Sequence, residues 1–179
     1  MGRVEVEAKF SIDCKDLETI ASRLKDMGFE GSRVEQEIDV YLDHPCYSVV
    51  ERDEAIRVRL YRDYAMITYK GPRMSSKVKA RFEVEARLAS TRDGEAIIEL
   101  LERLGFKSAL KIIKRRIYFR SSTGLIVSLD RVENLGCFVE IEGSESEIRR
   151  LSRVLGLEGK EVEKTYVELL LESMGGFNP

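Results

Sequence analysis

The chain is poor in the residues that mark several common protein classes. Its three cysteines, Cys14, Cys46 and Cys137, are far apart and form no CxxC pair, which argues against a zinc site and against a disulfide scaffold. We therefore expect three free thiols. The only histidine, His44, precedes a proline, so a surface turn suits it better than the role of a general base.

Long hydrophobic runs and an excess of positive charge are also absent. The apolar runs are short and the N-terminus has no hydrophobic signal region, so we expect a cytoplasmic protein with no membrane partner. Thirty lysines and arginines oppose 32 aspartates and glutamates, for a net charge of −2. This balance gives no global field that would hold nucleic acid, so any anion site must be local.

What the chain does contain is a mixture of apolar and charged residues suited to one folded domain. Its 179 residues are 43% hydrophobic and 35% charged, which excludes a disordered chain. We expect a single domain over residues 1–174. Residues 175–179 are predicted to form a flexible tail.

An internal repeat predicts the architecture. Residues 4–10 align with residues 82–88 at an offset of 78, and residues 24–29 align with residues 101–106 at an offset of 77. Period-two alternation and helical spacing then give each half the order strand, helix, strand, strand, strand. The fold class is therefore α+β, with eight strands and flanking helices.

Turn residues and apolar spacing set the predicted bounds of these elements. The expected strands are 4–12, 36–43, 55–62, 64–70, 79–89, 112–120, 125–132 and 137–143. The first helix begins near residue 17, after Asp13 or Asp16 as cap, and ends at Gly28. The second is capped by Thr91 or Asp93 and ends at Gly105. Residues 145–155 and 164–174 are expected to form two further helices.

Almost every predicted strand places ionisable side chains on its non-apolar face. Side chains two residues apart share a face, so Glu5, Glu7 and Lys9 line up on the first strand. Carboxylates also cluster in pairs that repel each other unless a cation lies between them. Eight strands can close into an antiparallel barrel whose interior holds one small ligand, and closure would direct these charges inward. An ordinary sheet with its charged face in water is the alternative.

A charged interior of this kind suits a polyanion bridged by hard cations. Mg²⁺ or Mn²⁺ prefers carboxylate oxygens and keeps positions open for phosphate. Arginine and lysine side chains would contact the phosphates, since the sequence has no glycine-rich phosphate loop. The residue types therefore favour a triphosphate as the ligand.

The segment Glu5-Val6-Glu7-Ala8-Lys9 resembles the ExExK signature of the CYTH superfamily, the triphosphate tunnel metalloenzymes. Segments 39–45, 53–59, 68–72 and 129–136 are most similar to the class IV adenylyl cyclase branch. The resemblance extends from residue 4 to about residue 170 and implies an eight-stranded antiparallel tunnel that uses Mg²⁺ or Mn²⁺.

The resemblance also implies roles for individual residues. It makes metal ligands, or supports of these ligands, of five carboxylates: Glu5, Glu7, Asp130, Glu140 and Glu142. It makes triphosphate contacts of six cations: Lys9, Arg57, Arg59, Lys70, Lys114 and Arg116. Additional charged tunnel residues are Lys79, Arg81, Glu83 and Glu85, which either bind metal or form structural ion pairs.

The resemblance leaves the reaction open, because one fold can support several reactions. A class IV adenylyl cyclase would convert ATP to cyclic AMP and pyrophosphate, and this branch is the most similar. A triphosphatase would instead hydrolyse inorganic triphosphate or thiamine triphosphate. A third alternative is a sensor that binds a nucleotide or polyphosphate without turnover. The sequence does not decide between a monomer and a homodimer.

Overall fold

The computed structural model describes residues 2–74 and 79–175, so residues 176–179 of the predicted tail lie outside the described part. No helix in the described part is long and apolar enough to cross a membrane. The strands are β1 (Arg3–Ile12), β2 (Glu30–Gly31), β3 (Glu35–Asp43), β4 (Ala55–Leu60), β5 (Ala65–Lys70), β6 (Lys79–Leu88), β7 (Lys107–Arg120), β8 (Ile126–Val132) and β9 (Gly136–Glu142). The helices are α1 (Leu17–Asp26), α2 (Thr91–Arg103), α3 (Glu145–Leu155) and α4 (Tyr166–Ser173).

The strand pairing confirms the predicted fold class. The order is β2-β7-β3-β4-β5-β6-β1-β9-β8, and β7 also pairs with β8. This last pairing closes eight strands into an antiparallel barrel, in the chain order that the two predicted half repeats require. The additional strand β2 pairs with the end of β7. It has only two residues, which is too short for a periodic signal in the sequence.

The chain is organised as two compact units. The first unit comprises residues 1–5 and 35–113 and contains β3, β4, β5 and β6 as consecutive antiparallel neighbours. Helix α2 packs on β4 and β5 of this unit. A Cβ atom at Gly94 of α2 would lie 2.5 Å from Ala65 and 2.6 Å from Leu60, so glycine permits this close approach.

The second unit comprises residues 6–34 and 114–179. In it β7 pairs with β8, β8 with β9, and β9 with β1, all antiparallel. Its core is apolar and includes Phe10, Leu24, Phe119, Val139 and Ile141, each at most 2% exposed. Burial of these side chains stabilises the strands on which the charged residues lie.

The helix ends agree with the sequence prediction except at one cap. Gly28 and Gly105 follow α1 and α2 with φ of +83° and +98°, as the predicted stops require. Asp13 caps a short 3-10 helix that precedes α1. The predicted caps of α2 were wrong: Ser90 is its N-cap and forms a reciprocal capping box with Asp93.

The prediction of three free thiols was also wrong. Cys14 and Cys137 form a disulfide with their Cα atoms 5.1 Å apart, whereas Cys46 is free and exposed. The two bonded cysteines are 123 residues apart in sequence. The β1–β9 pairing brings them together, because Ile12 lies directly opposite Cys137 and Cys14 follows two residues later. Local spacing of cysteines carries no information about such a pairing.

Candidate functional site

Two arginines and two carboxylates form a buried cluster in the first unit. Asp39 and Arg59 lie opposite each other in the β3–β4 register. Arg59 donates to Asp39 through Nε at 2.5 Å and through Nη2 at 2.9 Å, and its Nη1 lies 3.1 Å from Glu37 Oε2. Glu37 and Asp39 are fully buried. Two carboxylates therefore hold Arg59 in one orientation.

Arg57 lies on the same strand face and is held less completely. Its Nη1 lies 3.6 Å from Asp39 Oδ2. Its Nε is buried and makes no hydrogen bond to any residue that the structure describes. A buried N–H group without an acceptor is costly, so this position favours an anion as partner.

Two carboxylates share one ammonium group elsewhere in the first unit. Lys70 Nζ lies 3.0 Å from Glu5 Oε2 and 2.5 Å from Glu83 Oε1. Burial of Glu83 and its hydrogen bond with Glu5 raise the pKa of Glu83 to about 8. At neutral pH the pair therefore shares a proton, which is the arrangement that a bound cation would relieve.

Arg81 serves as a tie between loops of the first unit. Its Nη2 donates to Asp53 Oδ1 at 2.8 Å, and its Nη1 donates to the carbonyl oxygens of Asp53 and Gly71. Arg73 also donates to Asp53. Although burial alone would raise it, the pKa of Asp53 is lowered by the hydrogen bonds from Arg73. These contacts fix the segment before β4 to the segment after β5.

The second unit contains three buried cations together with their carboxylate and aromatic partners, a group that we call the lysine cluster. Its members are Lys9, Lys114, Arg116, Asp130, Glu140 and Tyr166. Arg116 lies opposite Asp130 in the β7–β8 register and donates to both of its oxygens and to Glu140. Lys9 lies opposite Glu140 in the β1–β9 register, with Nζ 3.6 Å from Glu140 Oε1.

Tyr166 is a member of this cluster that the sequence analysis missed. Its hydroxyl donates to Asp130 Oδ2 at 2.7 Å, and its ring lies beneath Lys9 Nζ at 3.8 Å from the centroid. Burial and the charge of Asp130 raise the pKa of Tyr166 well above its ordinary value, so the hydroxyl stays protonated. The alternation of residues along the strands could not reveal it, because it lies on α4.

The remaining predicted site residues differ in how far their side chains are buried. Glu7 and Glu142 are half-buried and lie opposite each other in the β1–β9 register. Glu85 is exposed and accepts a hydrogen bond from Thr68 at 3.2 Å. The side chain of Lys79 is outside the part that the structure describes. Arg115, between Lys114 and Arg116, is exposed, because successive side chains of a strand lie on opposite faces.

His44 is a packing residue of the loop after β3. Its ring stacks on Tyr47 at 4.1 Å between centroids and meets the edge of Phe106 at 5.0 Å. Its Nδ1 accepts a hydrogen bond from the backbone N–H of Cys46. This turn position agrees with the role predicted from the sequence.

The carboxylates fit a hard divalent cation by their chemistry. No group of three or more histidine, cysteine or acidic side chains is gathered as a metal site in the described ranges. Glu5 and Glu83 nevertheless lie on either side of one ammonium group, that of Lys70, at 3.0 and 2.5 Å. Oxygen donors of this kind are those that Mg²⁺ and Mn²⁺ prefer.

A comparison with models of protein families shows which family the chain belongs to. The family model of the CYTH domain matches residues 3–166. The chain belongs to the CYTH domain family. The match covers all the strands and ends at Tyr166, so it includes both units and every charged cluster.

Individual CYTH relatives agree with this assignment. MJ0240 of Methanocaldococcus jannaschii, which is named as a candidate adenylate cyclase, is 34% identical over 152 residues, or 85% of this chain and 83% of the relative. The structure of PH1819 from Pyrococcus horikoshii has a TM-score of 0.80 and is 37% identical. The match covers 94% of this chain and 98% of the PH1819 chain.

A more distant structure shows the same fold alone. HpAC1 from Hippeastrum, a candidate adenylyl cyclase described as having a dominant triphosphatase activity, is 16% identical. Its TM-score is 0.70, and the match covers 100% of this chain and 98% of that chain.

Proposed function

We propose that this CYTH protein is a metal-dependent enzyme that converts ATP to cyclic AMP and pyrophosphate. The observation that carries the proposal is the burial of the charged strand faces. Lys9, Lys114, Arg59 and Arg116 are each at most 6% exposed, whereas the charged face of an ordinary half-solvated sheet would be exposed to water. The 34% identity to a relative named as a candidate adenylate cyclase supports the cyclase reaction.

Six cations are proposed as contacts of phosphate groups: Lys9, Arg57, Arg59, Lys70, Lys114 and Arg116. The guanidinium groups match the non-bridging oxygens of a phosphate chain, and the lysines act as point charges. The buried Nε of Arg57 supports this role, since it has no acceptor among the described residues.

The carboxylates are proposed as the metal site, with Mg²⁺ or Mn²⁺ as the cofactor. Glu5, Glu7, Glu140 and Glu142 are the proposed ligands of the ion. Asp130 is proposed as a support of this site, because its oxygens already accept hydrogen bonds from Arg116 and Tyr166. When bound, the ion would lower the pKa of the ribose 3′-hydroxyl and offset charge on the phosphates.

The chain's own residues would then position the chain of phosphates for cyclisation. In the reaction, the 3′-hydroxyl gives up its proton to water and its oxygen bonds to the α-phosphorus. The bond from the α-phosphorus to the α–β bridging oxygen breaks, and pyrophosphate leaves with that oxygen. Fixed cations such as Arg116 stabilise the negative charge that develops on the phosphoryl oxygens. Their carboxylate partners hold them in place before the substrate arrives, so little reorganisation is needed.

Hydrolysis of a triphosphate is the second candidate reaction. HpAC1, which shares the fold, is described as having a dominant triphosphatase activity. The charged clusters described above would contact phosphate groups rather than a base, so inorganic triphosphate or thiamine triphosphate would suit them equally. In this reaction a water molecule would attack the terminal phosphorus.

Product analysis separates the candidates. The protein is incubated with ATP, tripolyphosphate or thiamine triphosphate, each with Mg²⁺ and with Mn²⁺, and the products are resolved by chromatography. We expect cyclic AMP and pyrophosphate from ATP. ADP and orthophosphate, or turnover of tripolyphosphate alone, would establish the hydrolase instead, and metal-dependent binding without turnover would leave a sensor.

Two arginines that differ in exposure provide matched variants for this assay. Arg57→Ala removes a proposed phosphate contact, so activity should fall by about 10- to 100-fold. Arg115→Ala removes an exposed cation and should change activity less than about twofold. Equal effects of the two variants would contradict the proposed site.

A further inference from the structure

We propose that Tyr166 is a positioning residue that sets the orientation of Lys9 and Lys114 for binding of a triphosphate. The proposal rests on the proposed function, which assigns both lysines to the phosphates. It adds a role for the C-terminal helix α4, which carries none of the charged residues predicted to contact substrate or metal.

The start of α4 is held firmly. Thr165 caps the helix, its side chain accepts from the backbone N–H of Glu168, and the Glu168 carboxylate accepts from the backbone N–H of Thr165. Tyr166 follows the cap and is the only residue of α4 that is fully buried within the described structure. Its side chain therefore leaves a fixed point of the backbone and points into the lysine cluster.

Both ends of the tyrosine side chain are engaged. The hydroxyl donates to Asp130 Oδ2 at 2.7 Å, and the same carboxylate accepts two hydrogen bonds from Arg116. Phe138 packs against the tyrosine ring in an edge-to-face arrangement, with centroids 5.0 Å apart. These contacts fix the plane of the ring.

The fixed ring attracts two lysines. Lys9 Nζ lies 3.8 Å from the ring centroid and Lys114 Nζ lies 5.3 Å from it, within the range of a cation–π interaction. Lys9 Nζ also donates to the carbonyl oxygen of Lys164, two residues before Tyr166, at 3.2 Å. The segment that begins α4 therefore contacts the Lys9 ammonium at two points.

An aromatic ring differs from a carboxylate in what it does to a cation. Glu37 and Asp39 neutralise the charge of Arg59 in the first unit. A ring stabilises an ammonium group through its quadrupole and leaves the full positive charge in place. Tyr166 thus orients two buried lysines without adding a negative charge beside them.

The test combines NMR of the lysine side chains with binding of tripolyphosphate. A ring beneath an ammonium shifts the adjacent lysine Hε signals upfield. We expect shifted signals for Lys9 and Lys114 in the unmodified protein and in Tyr166→Phe, and loss of the shift in Tyr166→Leu. Unshifted signals in the unmodified protein would overturn the proposal without reference to any variant or activity.

Calorimetry with tripolyphosphate and Mg²⁺ then measures the consequence. Tyr166→Leu should weaken binding by about tenfold or more, and Tyr166→Phe by less than about threefold, because phenylalanine retains the ring. The matched control is Tyr64→Leu, which removes a ring that lies 4.1 Å from Arg87 outside the lysine cluster and should leave affinity unchanged. Equal affinity of Tyr166→Leu and the unmodified protein would overturn the proposal.

The two readouts separate failure of this proposal from failure of the proposed function. Should Tyr166→Leu fail to fold, the signals of the unmodified protein still test the proposal, because unshifted lysine signals would overturn it. If the unmodified protein binds no triphosphate although its lysine signals are shifted, the proposed function is wrong, and the role of Tyr166 in substrate binding falls with it.

Discussion

Two strands carry nearly the same charged motif into different surroundings. In the first copy, Glu5 to Lys9 of β1, the terminal cation Lys9 is 4% exposed and contacts Glu140 and the Tyr166 ring. In the second copy, Glu83 to Arg87 of β6, the terminal cation Arg87 is exposed and lies over the Tyr64 ring. One pattern therefore gives a buried ammonium group in one place and a solvated guanidinium group in the other.

The pairing strand accounts for the difference. Lys9 faces Glu140 across β9, whereas Arg87 faces Met66 across β5. Similarly, Glu7 faces Glu142, whereas Glu85 faces Thr68. A repeated motif thus specifies where a strand lies in the sheet, but the residues on its neighbour decide whether its charges are buried and paired.

The middle carboxylates of the two copies should differ most in activity. Glu7→Gln removes a proposed metal ligand, since a neutral amide cannot supply the charge that holds a divalent ion, and turnover should fall by about 1,000-fold. Glu85→Gln changes an exposed side chain and should cost less than about threefold. The measurement is the initial rate of triphosphate turnover at saturating Mg²⁺.

Metal titration checks the reason for that loss. Higher Mg²⁺ or Mn²⁺ concentrations should restore part of the Glu7→Gln activity, and EDTA should abolish turnover in the unmodified protein. Full activity in EDTA, or equal losses for Glu7→Gln and Glu85→Gln, would contradict the assignment of the first copy to the metal.

The disulfide is a second asymmetry between the copies. Cys14 follows the first copy, whereas the residue 78 positions later is Arg92. Replacing Cys14 and Cys137 together by serine should lower the free energy of unfolding by about 3 kcal/mol, because the bond closes a long loop of the unfolded chain. Urea denaturation measures this, with and without reductant.

Cys46→Ser is the matched control for the disulfide, because Cys46 is free and exposed. It should change the free energy of unfolding by less than about 0.5 kcal/mol. If the reductant left the stability of the unmodified protein unchanged, the contribution of the bond would be refuted.

Glu83, the first carboxylate of the second copy, should make the free energy of unfolding depend on pH. The pKa of Glu83 is about 8 in the folded protein against an ordinary value of 4.5. The folded state therefore favours the protonated form, and this contribution is complete below about pH 4.5 and is lost as the pH rises toward 8. Metal-free protein should accordingly melt at lower temperature at pH 8.5 than at pH 5.

Glu83→Gln mimics the protonated carboxyl and isolates this effect. The fall in melting temperature from pH 5 to pH 8.5 should shrink by about 2–4 °C, the shift that roughly 1 kcal/mol produces in a domain of this size. In Glu85→Gln, the fall in melting temperature from pH 5 to pH 8.5 should be the same as in the unmodified protein. Parallel pH curves for the unmodified protein and Glu83→Gln would rule out the buried, protonated pair.

The sequence alone was sufficient to predict where the strands lie and which strand faces carry charged side chains. Alternation identified eight strands within a few residues, apart from β7, which begins five residues earlier than predicted. The same alternation places exposed Arg115 on the opposite strand face from buried Lys114 and Arg116. Both results depend on local periodicity, which a single sequence displays directly.

The contacts that complete the clusters could not be predicted in this way. Tyr166 meets Asp130 across 36 residues, and Cys14 meets Cys137 across 123 residues. The carboxylates that neutralise Arg59 come from the neighbouring strand β3 and depend on its register. Such partners follow from pairing between distant segments, and a single sequence contains no direct signal of that pairing.

Binding of tripolyphosphate to matched variants of the two copies tests the central claim most directly. Lys9→Met and Arg87→Met each remove one terminal cation while keeping an unbranched side chain, and calorimetry in Mg²⁺ compares their affinities. We predict that Lys9→Met weakens binding by about 10- to 100-fold, since a charged hydrogen bond to phosphate is lost, while Arg87→Met binds as the unmodified protein does. Equal affinity of the two variants would contradict the claim that the buried first copy binds the triphosphate.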